Sequence, residues 1–113
     1  MASRKNLKII TGYRTNEVLF SAKKHAESIT IQERGTPNGA PTISVKAKQE
    51  IVLCAGWLHT PQVLQRSGLG PKDLLDEAGI KLIVDLPGVG ANLQDHAVTS
   101  IGYSCKLLLD WPL

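Results

Sequence analysis

The first half of the chain alternates apolar and polar residues, which is typical of strands that place one face on a core. The alternation is clearest in residues 28–34 (SITIQER) and 41–47 (PTISVKA), which the turn-rich loop GTPNGAP separates. Residues 7–12 (LKIITG) and 15–22 (TNEVLFSA) are predicted as two further strands. We therefore predict a small antiparallel β-meander. The side chains predicted to face its core are Ile29, Ile31, Ile43 and Val45.

The pattern changes after the meander. Residues 50–56 (EIVLCAG) form a continuous apolar run that ends at glycine, which predicts a strand buried on both faces of a parallel sheet. Thr60 and Pro61 are typical of a helix start, as N-cap and first helical residue, and Gly68 is predicted to end that helix.

Shorter elements are predicted in the second half. Residues 71–79 (PKDLLDEAG) predict a helix that proline opens and glycine ends. Residues 80–90 (IKLIVDLPGVG) predict a strand broken by proline, Asn92 is a candidate N-cap of a helical turn, and residues 97–104 (AVTSIGYS) predict a final strand. The predicted fold class is mixed α/β, an antiparallel meander followed by a buried strand and short helices.

Composition limits the function classes. A length of 113 residues suits one domain, and the aromatic content of 4% means that the core must rest on aliphatic side chains. Nine of the 13 basic residues lie in the first 50 residues, but they alternate with acids and no aromatic residues interleave with them. We therefore predict no nucleic-acid partner. No run approaches the roughly 18 apolar residues of a membrane span, and the start is polar, so no membrane partner or signal peptide is predicted and localisation stays open.

The two cysteines do not predict a metal site. Cys54 and Cys105 stand far apart in the sequence and fit no metal-ligand spacing. Cys54 lies near the end of the apolar run 50–56, where a buried thiol that packs as a small hydrophobic group is expected.

The corner between the predicted strand and the next helix is a candidate binding site. Ala55 and Gly56 leave bare main chain at the carboxyl end of the strand, which is where ligands usually bind in open α/β sheets. A helix that starts at Thr60 would direct free N–H groups outward, and these suit an anion. From the residues alone, a plain tight turn is the alternative interpretation.

Two motifs carry a family resemblance. The first runs from Gly56 to Gly70, with Thr60-Pro61, two aliphatic residues and a final Ser-Gly-Leu-Gly, and the second is LPGVGANLQDH, residues 86–96. On these motifs, and on the opening NLKIITGYRTNEVLF, the chain resembles the glucose–methanol–choline (GMC) family of FAD-dependent oxidoreductases. It is most similar to the aryl-alcohol oxidase and glucose oxidase members. The resemblance covers the chain up to Tyr103, and Trp57 departs from the small residue of the family.

The resemblance implies that FAD is the cofactor. It implies that the backbone at Thr15, where the family usually has valine, contacts the adenine end. It further implies that Ala55 and Gly56 pack against the dinucleotide. An indole at Trp57 would either crowd the isoalloxazine or fill a gap on the substrate side. The positions implied to lie near the flavin half are Asn92, Asp95 and His96; the alternatives are that Asn92 is simply an N-cap and that Asp95 and His96 form a local ion pair.

The resemblance also implies what the chain lacks. The Gly-x-Gly-x-x-Gly turn that holds the FAD pyrophosphate is not in this sequence, and neither is the histidine base of the family, so no catalytic residue is predicted. The chain is predicted to be part of an enzyme that oxidises CH–OH groups of alcohol substrates to carbonyls by hydride transfer to flavin, and to be inactive alone. The alternative is a non-catalytic truncated product or a small binding module.

The implied organisation is a single partial FAD-binding domain, a fragment of an FAD/NAD(P)-binding-type fold, over residues 1–113. Residues 1–48 are its meander, residues 49–103 its strand–helix segment, and residues 104–113 a truncated or atypical tail. The strand predicted at residues 50–56 would have open edges, because its parallel neighbours are not in the sequence. Open apolar edges favour association, so self-association is predicted as well.

Overall fold

The computed structural model describes residues 4–37 and 39–102. The tail predicted at residues 104–113, and the last two residues of the strand predicted at 97–104, lie outside these ranges. The described part is a mixed α/β structure of two small sheets and two helices. Its elements are β1 (Tyr13–Phe20), β2 (Ala26–Glu33), β3 (Ile43–Lys46), α1 (Gly56–Arg66), β4 (Leu69–Gly70), α2 (Lys72–Glu77) and β5 (Val84–Asp85).

The first three strands form an antiparallel sheet in the order β1-β2-β3, so the predicted meander is confirmed. Its register pairs Val18 with Ile29 and Ile29 with Val45, which places these side chains on one face. A β-bulge between Thr15 and Glu17 interrupts the pairing of β1 with β2. The strand predicted at residues 7–12 does not form, because no described strand pairs with that segment.

The core lies between β1 and α1. Four apolar side chains of the described part are buried there, in β2 and under α2, whereas all of β3 is exposed. Val18 in β1 is 5% exposed, whereas Val45 is 38% and Ile43 is 52% exposed. The prediction that Ile43 and Val45 face the core is therefore wrong, because α1 packs on β1 and leaves β3 uncovered. The buried apolar residues are Val18, Ile31, Val63 and Leu75.

Residues 50–56 do not form the predicted buried strand. The segment is irregular up to Ala55, and the Val52 side chain is 71% exposed. Cys54 is also exposed, so the prediction that its thiol is buried is wrong. A strand buried on both faces needs a hydrogen-bonded neighbour on each side, and within the described residues no strand pairs with this one. The sequence pattern is that of a strand, but none of the described strands lies beside it to pair with it.

Helix α1 begins five residues earlier than its N-cap signal predicts. Ala55 is the N-cap and makes no side-chain cap, and Pro61 lies inside the helix. The Thr60 hydroxyl accepts a hydrogen bond of 3.1 Å from the backbone amide of Ala55, which lies behind it. The Thr60 side chain therefore stabilises the corner before α1 and does not cap the N-terminus of a helix that follows it. Gly56 enters the helix at φ +80°, a conformation that only glycine adopts easily.

The end of α1 is confirmed at Gly68. Its φ is +82°, and its amide donates to the carbonyl of Gln65 at 2.9 Å, as expected of a residue just past a helix C-cap. Its carbonyl accepts a bond of 2.8 Å from the amide of Ile83, next to the short parallel pairing of β4 with β5. The predicted second helix and second-half strand are also confirmed, as α2 and the two-residue β5.

Residues 86–102 form turns and irregular chain. Val89 donates to the carbonyl of Leu86 at 3.0 Å, and Ala91 to that of Gly88 at 3.2 Å. The helical turn predicted at Asn92 and the described part of the strand predicted at 97–104 do not form: residues 91–102 are exposed and have no regular secondary structure. In the described ranges no helix is both long and apolar enough to cross a bilayer.

Candidate functional site

Helix α1 has an open groove on each of two faces. One has a volume of about 560 Å³ and lies between α1 and β1. The other has a volume of about 490 Å³ and lies between α1 and the turn after β5. We call the first the arginine groove, for the part of its wall formed by Arg14, Thr15, Arg34, Ala55, His59 and Arg66. We call the second the glycine-turn groove, for the part formed by Trp57, Pro61, Leu64, Gly88, Gly90 and Asn92.

The arginine groove takes its two sides from β1 and α1. Residues His59, Val63 and Arg66 follow the helical spacing of three and four, so one face of α1 forms one side. Thr15 is half-buried on the opposite side, at the start of the β-bulge, where the pairing register with β2 shifts. Ala55 closes the groove at the N-terminal end of the helix, where the backbone amides have no side-chain cap.

The position of Arg14 is set by a buried glutamine. Gln32 is only 3% exposed, and its Oε1 accepts bonds from the Nη2 and Nε of Arg14 at 2.6 and 3.2 Å. Its Nε2 donates to the carbonyls of Pro37 and Ala40, both at 3.2 Å. This amide is satisfied on both sides, so it holds the Arg14 guanidinium at the mouth of the groove while tying down the loop that precedes β3.

Positive charge dominates the arginine groove. Arg14, Arg34 and Arg66 line it, and its lining includes no Asp or Glu. The Nε of Arg66 donates to the Gln62 carbonyl at 3.2 Å, and the imidazole Nδ1 of His59 lies 3.2 Å from the Gln62 Oε1. Guanidinium groups stay charged at all ordinary pH values, so the groove favours an anionic ligand.

The glycine-turn groove has an apolar side and a backbone side. Trp57, Pro61 and Leu64 follow the spacing of four and three along α1 and supply the apolar side. The turn that contains Gly88 and Gly90 supplies the other side with bare main chain. A flat apolar surface opposite exposed peptide groups can hold a planar ring that carries hydrogen-bonding atoms.

One side chain fastens the glycine turn to the helix. Gln65 donates from its Nε2 to the carbonyl of Val89 at 3.3 Å. A Cβ atom added at Gly90 would lie 3.0 Å from the same nitrogen, so glycine allows this close approach. The φ of Gly90 is +83°, which also requires glycine.

Trp57 follows the Ala55–Gly56 corner directly in the sequence. Its side chain is 58% exposed and lines the glycine-turn groove. Apart from its two chain neighbours and the backbone of α1, a Cβ atom added at Gly56 would meet no atom within 4 Å, so no other element covers the corner.

The structure distributes the predicted FAD contacts over three places. Thr15 and Ala55 share the arginine groove, Gly56 forms the open corner, and Asn92 lies in the glycine-turn groove at φ +56°. Asp95 and His96 are exposed and line neither groove.

The alternatives for the last three positions are also answered by the structure. Asn92 caps no helix, because residues 93–102 contain none. Asp95 accepts a bond of 2.8 Å from the backbone amide of His96, a contact between neighbours that needs no charge on the imidazole. Whether any of these residues contacts FAD remains a prediction.

Sequence reasoning missed the arginines and Gln65. The concentration of basic residues in the first half was visible, but only the fold brings Arg14 and Arg34 beside Arg66 from the second half. Gln65 stands at a position of the motif that tolerates any residue, so nothing in the sequence marked it. No group of three or more potential metal ligands occurs among the described residues.

Comparison with known proteins decides the family. A family model described as GMC oxidoreductase matches residues 1–98. The chain belongs to the GMC oxidoreductase family. This confirms the resemblance inferred from the two motifs.

Individual relatives agree with the family. The oxygen-dependent choline dehydrogenase of Pectobacterium atrosepticum is 45% identical over 104 residues, which are 92% of this chain and 18% of that protein. The same enzyme of Proteus mirabilis is 49% identical, with the same coverage. This GMC chain therefore spans about 18% of the length of these relatives.

Solved structures give the same result. A fungal aryl-alcohol oxidase is 41% identical with a TM-score of 0.66, over 74% of this chain and 13% of that one. Pyridoxine 4-oxidase from Mesorbium loti is 40% identical with a TM-score of 0.66, over 76% of this chain and 16% of that one.

Proposed function

We propose that this GMC chain forms part of the FAD site of an oxidoreductase that acts on CH–OH groups of alcohols. Its relatives include choline dehydrogenases, an aryl-alcohol oxidase and a pyridoxine oxidase, which suit an alcohol substrate. Because the chain spans about 18% of the choline dehydrogenases, the reaction belongs to a larger protein and the chain alone is inactive. The fold is part of an FAD-binding domain.

The observation that supports this proposal most is the open corner between two grooves. A Cβ atom added at Gly56 would meet no other element of the described chain within 4 Å, and the grooves on the two faces of α1 have different chemistry. One is cationic and contains Thr15, and the other is apolar with peptide groups and contains Asn92. A dinucleotide also has two unlike halves, so the residues present fit FAD.

Each residue has a stated role in this proposal. The Thr15 backbone binds the adenine end, Ala55 and Gly56 allow close approach of the main chain, and Asn92 orients the flavin half. Hydride acceptance from the alcohol carbon is the chemistry that FAD supplies when it is bound. Asp95 and His96 are exposed here, so their contact with the cofactor needs the rest of the protein to cover the turn.

The chain supplies positioning and no proton transfer. His59 is exposed and lies beside Gln62, with no carboxylate among the residues of its groove to orient it as a base. A general base must lie within hydrogen-bond reach of its proton and be held in a productive orientation. His59 is therefore not proposed as the base, and the base is expected outside the described residues.

The experiment that tests the proposal is a titration of FAD into the purified full chain, followed by flavin fluorescence and polarisation. Gly56→Ala adds a methyl group at the open corner and is expected to weaken FAD binding about tenfold, in line with the 1–3 kcal/mol of a forced contact. Gly79→Ala is the matched control, because Gly79 also has positive φ and open surroundings but lies after α2. Free-flavin fluorescence throughout, with a folded chain, contradicts the proposal.

A further inference from the structure

We propose that the open edge of β3 binds an extended peptide in which acidic and apolar residues alternate. The proposal is independent of the proposed function, because β3 lies two strands away from β1, on which α1 packs. Three features of this edge carry the proposal: backbone groups that point away from the sheet, exposed apolar side chains on one face, and unpaired lysines.

The backbone of β3 is hydrogen-bonded to a neighbouring strand on one side only. In an antiparallel pair, hydrogen-bonded and non-hydrogen-bonded positions alternate along each strand. The amide of Ala47, just after β3, donates to the Glu27 carbonyl of β2 at 2.8 Å, so Val45 also bonds towards β2. The N–H and C=O groups of Ser44 and Lys46 therefore point away from β2. No described strand lies on that side, so these groups can pair with an added strand.

The two faces of this edge differ in chemistry. Side chains alternate along a strand, so Ile43 and Val45 lie on one face, and Ser44 and Lys46 lie on the other. The two apolar side chains are 52% and 38% exposed, and Val45 stands beside Ile29 of β2. An added strand can therefore bury apolar side chains against the first face only.

The lysines at the end of the edge have no acidic partner. Both Lys46 and Lys48 are exposed, and within the described residues neither forms an ion pair. Opposite charges on directly paired strands stabilise the pairing, and like charges destabilise it. Carboxylates on an added strand would therefore meet a charge that nothing in the described part of the chain neutralises.

This chemistry favours an acidic peptide over a second copy of the chain. Residues 41–49 (PTISVKAKQ) contain two lysines and no Asp or Glu, so a second β3 brings no carboxylate to the edge. Lysine on an edge strand also opposes pairing with uncharged strands. When a peptide extends a sheet, its main chain provides affinity and its alternate side chains provide specificity. The partner is therefore an extended segment with carboxylates on one face and apolar side chains on the other.

The test is fluorescence polarisation of a labelled short peptide of alternating glutamate and valine, titrated with the purified full chain. We expect it to bind about fivefold more tightly than a threonine–valine peptide, with an advantage that shrinks as salt is raised. Lys46→Glu should weaken binding of the glutamate peptide about fivefold and allow a lysine–valine peptide to bind in its place. Lys8→Glu is the matched control, because it makes the same charge change at an exposed position outside the sheet.

Amide hydrogen exchange identifies where the peptide binds. Pairing at the edge should slow exchange at Ser44 and Lys46, and leave Val45 unchanged because its amide already bonds to β2. Absence of binding, protection at other amides only, or equal binding of the three peptides overturns the proposal. So does protection of Ser44 and Lys46 that rises with chain concentration and is unaffected by peptide, because a second copy then occupies the edge. Circular dichroism checks that each variant is folded.

Discussion

The backbone amide of Val18 in β1 donates a hydrogen bond of 2.8 Å to the side-chain oxygen of Ser67. Ser67 ends α1, and its hydroxyl in turn donates to the Val63 carbonyl at 2.6 Å. Val18, Val63 and Ser67 are all buried. The serine of the Ser-Gly-Leu-Gly motif therefore satisfies one backbone amide at the open edge of β1 and fixes the end of α1 against the sheet.

Ser67→Ala is expected to destabilise the chain by about 1–3 kcal/mol, because it leaves the buried amide of Val18 without an acceptor. The measurement is urea denaturation followed by circular dichroism. Ser44→Ala in the exposed strand β3 is the control and should change the unfolding free energy little. Equal effects of the two substitutions would contradict this role of Ser67.

Gly68→Ala is expected to be much more damaging than Gly79→Ala. Both glycines have positive φ, which costs alanine about 1–2 kcal/mol. A Cβ at Gly68 would in addition lie 2.5 Å from the Lys81 carbonyl and 2.9 Å from the Ile83 side chain, whereas at Gly79 it meets nothing within 4 Å. Thermal unfolding of both variants measures the difference, and similar melting temperatures would show that the close approach at Gly68 does not matter.

Gln65→Ala is expected to release the glycine turn. Loss of the bond to the Val89 carbonyl, worth about 1 kcal/mol, should speed amide hydrogen exchange at Val89 and Ala91 about fivefold. Gln62→Ala is the matched control, since it removes the same side chain from the other face of α1. Unchanged exchange in Gln65→Ala, or the same increase in both variants, argues against the tie.

Self-association is expected at the edge of β3, and not at residues 50–56 as the sequence predicted. β3 ends the order of the larger sheet, and its Ile43 and Val45 side chains are exposed. Val45→Lys should suppress concentration-dependent dimerisation more than a lysine at Ser44 does, because it also replaces an exposed apolar side chain of the edge strand by a charge. Static light scattering measures this against Ser44→Lys, which puts the same charge on the other face. A wild-type chain that stays monomeric at all concentrations contradicts the prediction.

Local signals predicted the parts of the fold that are held together by neighbours in sequence. The alternation around Ile29 and Ile31 gave the meander, and Gly68 and Gly79 gave the helix ends, since each depends on backbone conformation or adjacent pairing. The prediction of a strand at residues 50–56 was wrong because the strands that would pair with this apolar run are not among the described elements. The predicted start of α1 was wrong because the Thr60 hydroxyl accepts a hydrogen bond from the amide of Ala55, which precedes it, and does not cap the helix.

The candidate site was predictable only in part. Motif positions pointed to Ala55, Gly56 and Asn92, and the structure gives these residues an open corner and a groove. The lining of the arginine groove combines residues more than 50 positions apart, such as Arg14 and Arg66. No local pattern encodes such a meeting, because it follows from the packing of α1 on β1.

The most direct test of the central claim is an amide-resolved NMR titration of the full chain with FAD. The claim is that both grooves beside the Gly56 corner belong to one dinucleotide site. It predicts that shift changes cluster at Thr15, Ala55, Gly56 and Asn92, and saturate at a common FAD concentration. A folded spectrum whose Ala55, Gly56 and Asn92 signals do not move as FAD is added would contradict it.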